Sequence, residues 1–138
     1  MAAQGIGIAQ AAYEAAVSYA QTRTSFETPL IDFQQVQYKL ADMAIGLHTA
    51  RLLTYWAASL KDQGKDFVKA ASIAKVTATE TAERLALLAM MIHGGYGVAT
   101  EYPVERFLRD SQIIKTYEGT NDIKRLTIAK QLIKELKS

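Results

Sequence analysis

The stretch Tyr117-Glu118-Gly119-Thr120-Asn121-Asp122 forms the boundary between two helices predicted near the end of the chain. Residues 103–116 before it are rich in charge, and residues 123–137 after it form an amphipathic helical run. Gly119 interrupts the helical pattern and leaves the Glu118 carboxylate at the turn between the two helices. Thr120 and Asn121 suit the cap of the second helix, because their side-chain oxygens can accept unpaired backbone N–H groups. Taken alone, the stretch is most simply a capped turn with an incidental glutamate.

Three further helices are predicted upstream, where apolar residues recur at three- and four-residue intervals. They span about 6–22, 33–61 and 67–92. The breaks between elements are Pro29, Gln63-Gly64-Lys65 and His93-Gly94-Gly95-Tyr96-Gly97. Pro103 suits the first position of a fourth, shorter helix. The pattern predicts an all-α fold with residues 1–138 as one domain, an up-and-down bundle of about four main helices plus a short helix.

The apolar faces of these helices supply the predicted core. In the first helix the repeating positions are largely alanine, which suggests close approach to another helix. The predicted core residues from the other helices are Leu40, Leu47, Leu53, Val76, Leu85, Leu88, Leu126 and Leu132.

Composition excludes several classes of function. The chain has 138 residues, 49% of them hydrophobic, which is enough for one domain with a sizeable core. Sixteen basic against 14 acidic residues give a net charge of +2, so charge does not indicate a nucleic-acid or membrane partner. The absence of cysteine excludes disulfides and thiolate chemistry. We find no signal-peptide pattern at the start and no apolar run of about 20 residues, and we expect a soluble intracellular protein.

Several polar residues admit an ordinary structural interpretation when each is taken singly. Arg23 follows the first helix, where a cation pairs favourably with the helix dipole, and Gln34 at the start of the second helix is suited to solvent. His93 is more often a packed helix-end residue than a ligand, and with His48 as the only other histidine a metal site is unsupported. Gly94-Gly95 is too short a pattern to indicate a phosphate-binding loop.

Several short motifs that are weak when taken singly become informative through their order along the chain. They are Arg23-x-x-Phe26, Pro29, Phe33-Gln34, Leu40-Ala41-Asp42-Met43, Gly94-Gly95-x-Gly97, Pro103-x-Glu105-Arg106, Arg109-Asp110 and Tyr117-Glu118-Gly119-Thr120. In this order and spacing they resemble the C-terminal domain of the acyl-CoA dehydrogenases, and most closely the short-chain (butyryl-CoA) branch. The resemblance extends over nearly the whole chain.

This resemblance implies roles for individual residues. Glu118 matches the base that removes the α-proton of an acyl thioester, and Gly119 would let the substrate approach the turn. Contacts to the cofactor FAD would come from residues around both glycine-containing turns and from a neighbouring subunit. The implied FAD-binding residues are Arg23, Gln34, Met91, Ile92, His93, Gly94, Gly95, Thr120, Asn121 and Asp122.

The chain also departs from the family pattern. Glu27 replaces the glycine of Arg-x-x-Phe-Gly, and Met91-Ile92-His93-Gly94-Gly95 replaces Gln-x-Leu-Gly-Gly. Asn121-Asp122 replaces the commoner Ser-Glu. The family's N-terminal helical and middle β domains have no counterpart in these residues. The resemblance therefore implies an excised domain or a stand-alone relative, which by itself we expect to be inactive and to bind FAD weakly.

Three functions remain open at this point. The chain can be the C-terminal domain of an FAD-dependent short-chain acyl-CoA dehydrogenase, a helical self-association module without catalysis, or part of an acyl-CoA oxidase-like enzyme. For the first, the resemblance implies an acyl-CoA substrate, a homo-oligomer (dimer or tetramer) and electron-transfer flavoprotein as electron acceptor. It implies a cytoplasmic enzyme in a bacterium or a mitochondrial matrix enzyme in a eukaryote.

Overall fold

Five α-helices make up most of the structure, a computed structural model that describes residues 1–137. They are α1 (Ala2–Thr22), α2 (Gln34–Asp62), α3 (Val68–His93), α4 (Val104–Ile113) and α5 (Asn121–Leu136). Helix α3 packs against each of the other four. The predicted all-α class is confirmed, with α1 beginning at Ala2 rather than at Ile6. No helix within the described range is long and apolar enough to cross a lipid bilayer.

A small hairpin and a 3-10 helix connect α1 to α2. Strands β1 (Thr24–Ser25) and β2 (Thr28–Pro29) pair antiparallel, with Ser25 opposite Thr28. The tip residues Phe26 and Glu27 have φ angles of 51° and 63°, both in the left-handed region. A two-residue turn with two positive φ angles matches the twist of paired strands, but it is costly for residues other than glycine, asparagine or aspartate. The sequence pattern predicted the interruption at Pro29 but not this hairpin.

Small residues let α1 and α3 approach closely. Ala9, Ala12, Ala16 and Ala20 on α1, which we call the alanine stripe, are all fully buried. A Cβ placed on Gly5 would lie 2.7 Å from the carbonyl oxygen of Ala78 in α3. A side chain of ordinary size would not fit between backbones this close. The close approach predicted from the alanines is confirmed.

The core lies between α1, α2, α3 and α4. Leu47, Val76 and Leu85 are buried as predicted. Leu40, Leu53 and Leu88 are partly buried and pack at the margins of the core clusters.

Two of the predicted core leucines lie outside this core. Leu126 and Leu132 on α5 are 57% and 46% exposed, so their assignment to the core was wrong. In α5 the buried residue is Asn121, and much of the apolar face of the helix stays exposed, although the helix contacts α3. Helical periodicity identifies an apolar face, but it does not tell whether the same chain covers that face.

Candidate active site

The loop between α4 and α5, residues 114–120, carries Glu118 and is called here the Glu118 loop. Glu118 has a φ angle of 56° and Gly119 has one of 84°, so the backbone of two successive residues lies in the left-handed region. Such a conformation is costly for glutamate and persists only where the surroundings hold it. The side chain of Glu118 is exposed.

The cap of α5 comes from Thr120. Its hydroxyl oxygen accepts a hydrogen bond from the backbone N–H of Ile123 at 3.3 Å, which confirms its predicted capping role. Asn121 does not cap the helix, because it is the first helical residue and its side chain points into the interior. Asp122 beside it has an exposed side chain.

A buried lysine on α3, which the sequence pattern did not predict, binds the Glu118 loop from the interior of the fold. Lys75 on α3 is 4% exposed, and its ammonium group donates three hydrogen bonds. The acceptors are the carbonyl oxygens of Lys115 (3.1 Å) and Gly119 (3.0 Å) and the side-chain oxygen of Asn121 (2.7 Å). Asn121 in turn donates to the hydroxyl of Thr79 at 3.0 Å. The loop is thereby fixed to the middle helix of the fold.

The charge of Lys75 is held without a carboxylate partner. None of the ion pairs in residues 1–137 includes Lys75. Burial lowers the pKa of Lys75, the nearby Lys124 lowers it further, and Glu80 opposes both. A sequence signal did exist, since Lys75 is the single charged residue in segment 70–79. A lone charge in an apolar helical segment needs buried partners, and here these are mainly carbonyl groups.

Glu118 lines a cavity of about 550 Å³ next to the loop. Its lining combines two lysines with apolar side chains and small hydroxyl residues. Members include Lys75, Lys124, Phe67, Val68, Ala71, Ser72 and Thr127. The side chain of Lys124 lies across Gly119, because a Cβ at Gly119 would be 3.2 Å from its Cε atom. The site thus joins an exposed carboxylate to an amphipathic cavity.

The remaining predicted residues gather at the other end of α3. Arg23 is exposed, its guanidinium carbon lies 5.5 Å from the ring centroid of Tyr96, and none of the ion pairs in the described residues includes it. Gly94 and Gly95 form an exposed turn in which an added Cβ would meet no atom within 4 Å. Gln34 is exposed at the start of α2. This end therefore offers a cation and open backbone to a ligand.

His93 is a packed residue within that end. Its ring stacks on Tyr19 at 4.1 Å between centroids, and its Nδ1 donates to the carbonyl oxygen of Ala89 at 2.8 Å. Burial lowers the pKa of His93, which the bond to Ala89 partly offsets. The unfolded chain therefore binds this proton more readily than the folded chain. His93 contributes stability that is fully present above its ordinary pKa near 6.5 and is lost as the pH falls through its folded pKa.

The predicted site residues thus form two groups rather than one. Glu118 to Asp122 lie at the loop that Lys75 bonds through Gly119 and Asn121, whereas Arg23 and Met91 to Gly95 lie near the C-terminal end of α3. Lys75 and His93 are separated by about 27 Å along the helix, at about 1.5 Å of rise per residue. Met91 is 56% exposed, whereas Ile92 and His93 are buried. The side chains of those two residues therefore offer no surface to an external ligand.

Comparison with known proteins assigns the chain to a family. The family model described as acyl-CoA dehydrogenase, C-terminal domain, matches residues 1–133. The chain is 49% identical over 138 residues to the mitochondrial short-chain specific acyl-CoA dehydrogenase of Bos taurus, covering 100% of this chain and 34% of that protein. It is 49% identical over 133 residues to an acyl-CoA dehydrogenase of Bacillus subtilis, covering 96% and 35%.

A solved structure gives the same assignment. Butyryl-CoA dehydrogenase from Megasphaera elsdenii superposes with a TM-score of 0.94 at 45% identity, covering 96% of this chain and 34% of that one. The chain spans about a third of the length of these relatives. The chain belongs to the acyl-CoA dehydrogenase family and corresponds to the family's C-terminal helical domain.

Proposed function

We propose that this chain serves as the C-terminal domain of an FAD-dependent short-chain acyl-CoA dehydrogenase and that Glu118 is its catalytic base. The observation that carries the proposal is the exposed Glu118 carboxylate, held on a left-handed loop beside an amphipathic cavity. The short-chain preference rests on similarity to the bovine short-chain enzyme and to butyryl-CoA dehydrogenase. The activity is that of the whole enzyme to which such a domain contributes.

The proposed reaction removes two hydrogens from an acyl-CoA thioester. The thioester carbonyl acidifies the α-carbon, and a carboxylate oxygen of Glu118 takes the α-proton. The electron pair of that C–H bond forms the α,β double bond, while the β-hydrogen leaves with its own pair as hydride. FAD, when bound, supplies the acceptor for that hydride. Gly119, next to the base, has no side chain to obstruct the thioester, and the flexible Lys124 side chain that lies across it lines the same cavity as Glu118.

The residues of this chain fit FAD at two places. Arg23 offers an exposed guanidinium for an anionic group, and Gly94-Gly95 beside it offers open backbone. At the other end of α3, the N-terminus of α5 offers donors to a hydrogen-bond acceptor, namely the hydroxyl of Thr120 and the backbone N–H of Asp122. Since about 27 Å of helix separates the two places, we assign them to two FAD molecules, one in the same subunit and one in a neighbouring subunit.

We further propose that the chain assembles into a homo-oligomer, a dimer or a tetramer. The apolar face of α5, including Ile123, Leu126 and Ile133, is exposed by about half. Leu52 and Tyr55 on α2 are also exposed. Exposed apolar side chains in such numbers favour association. Light scattering should show a dimer or tetramer, and Leu126→Glu should shift it toward monomer; a monomer at high concentration contradicts the proposal.

The substitution Glu118→Gln in the full-length enzyme tests the catalytic assignment. It preserves size and hydrogen-bonding shape but removes the base, so turnover should fall by about 10²–10⁴-fold while acyl-CoA binding persists. Glu14→Gln on the exposed side of α1 is the matched control and should leave turnover unchanged. Near-normal dehydrogenation by Glu118→Gln would leave Glu118 as a turn residue and favour the non-catalytic self-association module.

The electron acceptor is proposed as electron-transfer flavoprotein, as the family resemblance implies. An oxidase-like relative would share Glu118 but would pass electrons to oxygen. Steady-state assays of the full-length enzyme with either acceptor separate the two. Residues 1–138 alone, mixed with FAD and butyryl-CoA, should show no sustained dye reduction, because a base without a flavin ring held beside the β-carbon completes no turnover.

A further inference from the structure

We propose that Lys75 is a positioning residue for the dehydrogenation, whose buried ammonium group holds the Glu118 loop in the conformation that presents the Glu118 carboxylate to the cavity. The inference rests on the proposed role of Glu118 as base. It concerns a different residue, on a different helix, whose ammonium group is bonded to the loop and to Asn121 rather than to the reacting atoms.

The hydrogen bonds of Lys75 join both ends of the loop to one point. The carbonyl oxygen of Gly119, one residue from Glu118, accepts from the ammonium group at 3.0 Å. The carbonyl oxygen of Lys115 accepts from it at 3.1 Å and also from the backbone N–H of Asn121 at 3.0 Å. With the Asn121 side chain as third acceptor, every N–H of the ammonium group is used. The loop is closed around a single cation.

The backbone of the loop requires such support. Glu118 and Gly119 both have positive φ angles, and for glutamate this region is intrinsically unfavourable. A loop freed from Lys75 would gain by moving Glu118 to a negative φ angle, which swings its side chain away from its present direction. Displacement of a catalytic group by about 1 Å can cost about a hundredfold in rate. Loss of the ammonium group should therefore reduce the chemical step.

The surroundings of Lys75 show that it does not serve mainly to form an ion pair or to fill volume in the core. It is 4% exposed, no ion pair in the described residues includes it, and its three hydrogen bonds go to carbonyl and amide oxygens, with Glu80 as a nearby carboxylate that favours its charge and the pKa of Lys75 still lowered by burial. A side chain that only filled this volume would be apolar and would avoid the cost of burying charge. The donors of Lys75 are instead directed at the loop that carries Glu118.

Two variants of Lys75 in the full-length enzyme test the inference, with butyryl-CoA as the probe. Lys75→Met keeps the length but removes all three donors, and Lys75→Gln keeps polarity without the charge. Lys69→Met is the matched control on the same helix, since Lys69 pairs with Glu135 at the surface. Flavin content and thermal unfolding identify the variants that fold.

We expect kcat of a folded Lys75 variant to fall by about ten- to a hundredfold while KM for butyryl-CoA stays within about threefold. Exchange of the substrate's α-hydrogens with D₂O should slow in parallel, and the α-deuterium isotope effect on kcat should rise. Lys69→Met should change none of these values. General destabilisation would not single out the α-proton step in this way.

Three outcomes would overturn the inference. They are a folded Lys75 variant with wild-type kcat and exchange rate, a loss confined to KM, and failure of both variants to fold, which would make Lys75 a requirement of the fold. Glu118→Gln distinguishes the failures. If it retains wild-type turnover, the proposed function itself fails; if it is inactive while Lys75→Met is normal, only the inference about Lys75 fails.

Discussion

Truncation of Leu85 to alanine measures how much the centre of the bundle contributes to stability. Leu85 on α3 is fully buried among the residues of the main core. The three carbons lost contribute roughly 2.4 kcal/mol, at about 0.8 kcal/mol for each group removed from water. The cavity left behind adds to this, because packed surroundings relax only partly. We therefore expect Leu85→Ala to lower the free energy of unfolding by about 2–5 kcal/mol.

Urea denaturation followed by far-UV circular dichroism provides the measurement. Leu87→Ala is the matched control, since Leu87 lies on the same helix but is 48% exposed. The helix-propensity change is the same in both variants, so it cancels in the comparison. The Leu87 variant should lose no more than about 1 kcal/mol. Equal losses in the two variants, or a loss below about 0.5 kcal/mol for Leu85→Ala, would refute the placement of α3 at the centre of the core.

Three further predictions concern backbone and charge. Glu27→Gly should stabilise the chain by about 0.5–1 kcal/mol, because glycine adopts the positive φ angle at this position without strain, although it also makes the unfolded chain more flexible. An unchanged urea midpoint would contradict the claim that the turn is strained. His93→Phe should reduce the loss of stability on acidification below about pH 6.5, measured as unfolding free energy against pH; an unaltered slope would contradict burial of a neutral His93. Gly5→Ala should lower the melting temperature because its Cβ would lie 2.7 Å from the oxygen of Ala78, whereas Gly7→Ala, with open space around it, should raise it.

Sequence pattern was sufficient for the helices because their apolar periodicity is local information. The predicted ends of α2 and α3 differ from the observed ends by one residue. The pattern failed for Leu126 and Leu132, which lie on a face that the rest of residues 1–137 covers only in part. The hairpin at Phe26 and Glu27 was missed for a different reason. Neither residue type favours positive φ, so no local preference predicts the turn that they form.

The candidate site was predictable only in part. The position of the loop followed from Gly119 and from the cap at Thr120. The part taken by Lys75 did not follow, because it depends on contacts with residues 40 or more positions away in the sequence. The interior position of the Asn121 side chain has the same origin. A role that depends on which helices contact each other is set by tertiary packing, and the local pattern of a single sequence does not predict it.

The alanine stripe also has a mechanical consequence. Alanine has no side-chain torsion to rearrange, so a contact made by methyl groups can neither swell nor compress through a change of rotamer. Separation of α1 from α3 would open a gap that nothing in the contact can fill, and closer approach is blocked where Gly5 meets Ala78. The contact resists any change in the distance between α1 and α3. We therefore expect the two helices to move together as one rigid unit.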